Sequence, residues 1–150
     1  MRETKRATRM FSLGLILANF LFLALKGSRI IMHHQMIMNN RIYEATLRKI
    51  VLLDNMAGLL KYVIAMIAFL AILYLIEELF HATLTKDCSV LFMSMMVCLL
   101  LSLITVVFLQ QPITMVQEHL DFLPYFLAAL GMIGVINHIK RRIVHQMQRI

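Results

Sequence analysis

The chain has 150 residues, with 15 Lys+Arg against 8 Asp+Glu and a formal charge of +7 with neutral histidines. Hydrophobic residues make up 61% and charged ones 15%, where a soluble domain carries roughly 45–50% and about 25%. So little polar surface excludes an ordinary soluble enzyme, a disordered tail and a disulfide-knit secreted module.

A helix crossing a bilayer needs about 20 mostly apolar residues, because roughly 30 Å of hydrocarbon is covered at about 1.5 Å per residue. Residues 10–26 form the first candidate span. The stretch between Arg9 and Lys26 is uncharged, and both flanking cations reach toward headgroups. A basic start before an apolar run looks like a secretion signal. However, Lys26-Gly27-Ser28-Arg29 offers no small-x-small cleavage site, so a retained span is expected.

Residues 27–56 follow, and they are not loop-like. They lack proline, have glycine only at Gly27, and present Ile30, Ile31, Ile37, Met38, Ile42, Leu47, Ile50 and Val51. Asn39-Asn40 is the best local break, since Asn tolerates the left-handed conformation. The expectation is an extended helical hairpin turning near Asn39, the alternative an amphipathic helix lying on the outer leaflet. His33-His34 with Met32, Met36 and Met38 invites a copper reading. Adjacent histidines point to different helix faces and no CxxC or repeated MxxM tract is present, so no metal site is expected.

The second span is 57–80, with Lys61 near one end and Glu77-Glu78 near the other. The third is 89–109, inside a stretch without charge from Asp87 to Glu118. The fourth is 122–139, where Pro124 falls in the first turn and its missing N–H costs little. These runs are continuous rather than alternating, which selects helices over a membrane barrel. The fold expected is an all-α, multi-pass membrane protein: one domain, an antiparallel bundle of four transmembrane helices. Four spans put both termini on one side. That side holds nine Lys/Arg (Arg2, Lys5, Arg6, Arg9, Lys86, Lys140, Arg141, Arg142, Arg149) against six on the other. The positive-inside rule then places both termini in the cytoplasm, as in a bacterial inner membrane. Cys88 and Cys98 are expected as free thiols.

Small residues form a stripe on each span: Gly14 and Ala18; Ala65, Ala68 and Ala71; Ser94, Cys98, Ser102 and Thr105; Ala128, Gly131 and Gly134. Lipid gives helices little hydrophobic reason to associate, so such stripes and polar contacts supply the attraction. Asn19 lies deep in the first span, where a lone Asn ordinarily hydrogen-bonds across helices. Glu77, Glu78 and His81 share a level with Asn137 and His138. A paired interfacial charge cluster is the ordinary reading, and a proton relay or ion gate is the sharper one.

Phosphate-binding glycine loops, HExxH and GxSxG are absent from the sequence, and no histidines pair within the spans to hold heme. No catalysis, cofactor or nucleic-acid binding is expected, because membrane topology accounts for the basic tails. In size and layout the chain is similar to small bacterial four-span immunity proteins against bacteriocins and to exclusion proteins, with no motif residue carrying the likeness. The preferred expectation is binding to another membrane protein, or self-association, through helix faces and the outer hairpin. The alternative is an oligomeric channel or transporter subunit using Asn19, Glu77, Glu78 and His138.

Overall fold

The computed structural model describes residues 2–39, 44–81, 85–112 and 114–147. Among them every regular element is helical: α1 (Arg2–Met38), α2 (Glu44–His81), α3 (Thr85–Phe108), the short α4 (Thr114–His119) and α5 (Leu123–Met147). The four long helices are each long and apolar enough to cross a membrane. Asn39 lies in a turn and donates its N–H to the Gln35 carbonyl at 3.1 Å. Residues 40–43, residues 82–84 and Arg149 lie outside the described residues.

Helix α1 packs on α2 and α3, and α5 packs on those same two helices. The contacts fix how the helices run past one another. Across α1 and α2, Phe11 meets Tyr74 with ring centroids 5.8 Å apart, Gly14 lies beside Ile67, and Lys26 reaches Asp54. Numbers therefore rise on one helix as they fall on the other. Across α1 and α3, Ser12 meets Ser94 and Asn19 meets Cys98, so both numberings rise together.

The core is a narrow strip. Leu15, Ile64, Leu75, Leu91 and Met95 are nearly inaccessible, and Phe126, Leu130 and Ile133 bring α5 onto them. Only 22–33% of each apolar window is buried inside the protein. The remaining surface is also greasy, with Leu17, Phe69, Leu100 and Met132 all exposed. Four helices with apolar outsides as well as insides suit lipid rather than water as the surrounding medium.

The small-residue stripes divide. Ala18, Ala68, Ala71, Ser94, Cys98 and Ser102 are buried between helices. On α5, by contrast, Ala128 and Gly131 are exposed, and a Cβ added at Gly131 or Gly134 would meet nothing within 4 Å. Bulky Phe126, Leu130 and Ile133 face inward there instead.

Two ends of the helices depart from what sequence spacing suggests. Helix α3 closes with Gln110 at a φ of 51°. The Gln110 N–H bonds to the Val107 carbonyl at 3.2 Å and the Gln111 N–H to the Val106 carbonyl at 3.0 Å. That paired closure satisfies carbonyls left open at a helix end and normally uses glycine in the left-handed position. After Pro112 comes α4, which with the residue that follows it buries Val116 and Leu120 against Val106 of α3.

Two stability differences follow from these placements. Gln110→Gly removes a side chain from a left-handed site and should raise stability by about 1 kcal/mol. Ala71→Leu adds bulk where no space exists and should lower stability by about 1–3 kcal/mol, while Gly131→Leu on the open face should not. Thermal unfolding in one detergent, followed by helical circular dichroism, compares all three.

Candidate functional site

Polar groups concentrate at three places: the α1–α3 seam, the end of the structure where α1 and α2 reach beyond α3, and the opposite end around α2 and α5. On the seam, Asn19 is fully buried and its Nδ2 donates to the Cys98 carbonyl at 3.2 Å. The Ser102 hydroxyl donates to the same carbonyl at 2.8 Å. One turn away on α3 and two on α1, the Ser12 and Ser94 hydroxyls bond to each other, and the Ser94 hydroxyl donates to the Val90 carbonyl at 2.7 Å. This ladder of hydroxyl and amide contacts ties two helices that hydrocarbon would otherwise leave indifferent to each other. Chemically it is a packing device. Asn19 is at 0% exposure and lines neither of the two concavities found along α5.

At the far end of α1, the Lys26 ammonium pairs with Asp54 of α2 at 2.8 Å, and the Arg29 guanidinium reaches the same carboxylate at 3.2 Å. Nearby, Lys61 of α2 pairs at 2.7 Å with Asp121, just before α5. Sequence reading by helix faces missed both pairs. A signal for the first was present: positions 26 and 54 are equidistant from residue 40, where the hairpin is expected to turn. Above the Lys26–Asp54–Arg29 cluster, α1 continues from Arg29 to Met38, a rise of about 14 Å at roughly 1.5 Å per residue. The outside of the extension mixes apolar side chains with exposed His33, His34, Gln35, Arg48 and Lys49. Ile37, Met38, Val51 and Leu52 are 60%, 72%, 56% and 58% exposed.

At the opposite end the expected carboxylate–base cluster is only partly assembled. Glu77 is exposed and Glu78 half-buried on α2. Asn137 is buried but His138 faces outward, and among the described residues no ion pair joins either glutamate to His138. The His81 side chain lies outside the described residues. The cation that bridges the two helices is Lys140, whose Nζ donates to the Leu79 carbonyl at 2.7 Å. An ammonium there meets a helix C-terminus, where carbonyls lack partners and the dipole is negative.

Among the described residues, no group of three or more His, Cys, Asp or Glu side chains is arranged to hold a metal ion. His33 and His34 are both exposed on α1. Cys88 is half-buried in the first turns of α3 and Cys98 is buried, both as free thiols. Comparisons with protein families, with curated proteins and with solved structures find no match to this chain.

Asn19→Leu removes the seam's buried amide and should cost about 0.6 kcal/mol, the average measured for hydrogen bonds between membrane helices, and at most about 1.7. Asp54→Asn, at a half-exposed ion pair, should cost about 1 kcal/mol or less and less still at high salt. Unfolding by a denaturing detergent measures both, and a loss in Asn19→Leu that falls with salt, or no loss at all, would contradict the reading of the seam as a buried hydrogen-bonded joint.

Proposed function

We propose that this chain is a small four-span membrane protein that works by binding another membrane protein rather than by catalysis. The four long helices form an antiparallel bundle in this reading. Helices α1 and α2 extend it as a helical hairpin on the non-cytoplasmic side, with both termini in the cytoplasm of a bacterial cell. Opposite numbering across the α1–α2 contacts supports the hairpin, and the basic residues at both chain ends support the orientation.

The observation that carries the proposal is the exposed apolar extension above the Lys26–Asp54–Arg29 cluster. Within the bilayer, an exposed Leu or Ile is solvated by lipid. In this reading the exposed Ile37, Met38, Val51 and Leu52 stand at and past the ion-pair cluster, at the edge of the lipid and outside it. Contiguous apolar surface outside lipid marks a contact for another protein. Exposed Arg48 and Lys49 beside it would steer an acidic partner. The sealed α1–α3 seam supports binding over conduction, since Asn19 is occupied in joining helices. An accessory subunit and an immunity or exclusion factor both suit this layout.

Photocrosslinking residues placed at Ile37 and Leu52 should trap one predominant membrane protein in cells, and Val51→Asn with Leu52→Asn should abolish the adduct without loss of helicity. Adducts to lipid or to the chain itself alone would overturn the proposal.

A further inference from the structure

A groove of about 870 Å³ runs between the end of α2 and α5. Its walls are apolar, with Ile76 and Phe80 from α2 facing Met132, Ile136 and Ile139 from α5. Among the described residues that line it, Lys140 alone carries a charge. It lies on the same strip of α5 as Ile136 and Ile143, one turn away on either side, and not on the polar side of the helix. One of its three N–H donors is engaged by the Leu79 carbonyl, which holds the ammonium at the height where α2 ends. Around the adjacent face of α5, His138, Arg141, Arg142 and His145 line a second concavity of about 420 Å³.

The charge that lines this groove and the concavity beside it has one sign. No Asp or Glu follows Asp121 in the sequence. The nearest acids on α2, Glu77 and Glu78, do not line either concavity. A second copy of the chain seated here would bring one set of α5 cations against another, a like-charge arrangement that disfavours pairing. A partner that fits must supply a long apolar body, a negative head, and the two at the boundary of the membrane.

We infer that the α2–α5 groove is a binding site for an anionic phospholipid, with an acyl chain lying along Ile136 and Met132 and the phosphate held by Lys140. Basic pockets between membrane helices on the cytoplasmic side recognise anionic headgroups in this manner. The inference rests on the membrane reading of the helices and is independent of any partner at the hairpin. Flotation of the full-length chain with vesicles tests that underlying reading separately.

The test is native mass spectrometry of the full-length chain, released from mixed phosphatidylglycerol and phosphatidylcholine micelles. The wild-type chain should retain phosphatidylglycerol in preference. Lys140→Gln should reduce that preference about fivefold, the value of one cation near an anionic surface, and Lys140→Arg should restore it. Arg48→Gln removes the same charge at the other end and should leave the preference intact. Ala129→Trp fills the groove and should lower lipid retention while circular dichroism reports unchanged helicity. Equal losses in Lys140→Gln and Arg48→Gln would overturn the inference, because the preference would then be a general effect of net charge. Displacement of the lipid by millimolar inorganic phosphate would also overturn it, since the acyl chain would contribute nothing. So would a protein bound stoichiometrically in the groove with no lipid retained.

Discussion

Helices surrounded by hydrocarbon gain nothing from hiding leucine, because lipid solvates leucine as well as a protein core does. What joins them must therefore be close backbone approach and hydrogen bonds that would otherwise be unmade. In this chain those contacts gather on α1. Its small residues Gly14 and Ala18 accompany Ala68 and Ala71 on α2, and its polar residues Ser12 and Asn19 meet Ser94 and Cys98 on α3. Remove that helix and α2 and α3 lose most of what relates them. The large outward residues have the opposite task of matching the solvent.

Ion pairs act on a different coordinate. Lys26, Arg29 and Asp54 hold α1 and α2 at one height, and Lys61 with Asp121 fixes the chain segment before α5 to α2. Partly exposed pairs contribute little to stability, yet they resist the sliding of one smooth apolar helix along another. Lys140 on the Leu79 carbonyl does the same at the other end. The molecule thus has lateral cohesion from small and polar side chains and vertical register from charges near its ends.

Much of this was legible in the residues. Uninterrupted apolar runs gave four long helices, because a backbone in lipid must satisfy its own hydrogen bonds. The absence of proline across 27–56 gave long extensions on α1 and α2 rather than a coil. Asn19, expected to hydrogen-bond across helices, donates to the Cys98 carbonyl of α3. The orientation of α5 was not legible, since Ala128, Gly131 and Gly134 form a stripe indistinguishable in kind from the buried ones. Its outward turn depends on Phe126, Leu130 and Ile133 filling the space between α2 and α3. Nor was the level of each base around Glu77 and Glu78 legible. Asn137, His138 and Lys140 are close in sequence, but a helix turns each about 100° from its neighbour, so His138 faces outward while Lys140 reaches the Leu79 carbonyl of α2.

The packing order also bears on how the chain is made. Helices α1, α2 and α3 leave the ribosome first and contain both sides of the Asn19–Cys98 and Lys26–Asp54 contacts. Helix α5 comes last and docks mainly through bulky side chains on a surface the earlier three have already built. Synthesis can therefore join the Asn19 amide to its carbonyl on α3 before the final segment emerges, so that this amide does not wait in the bilayer for α5.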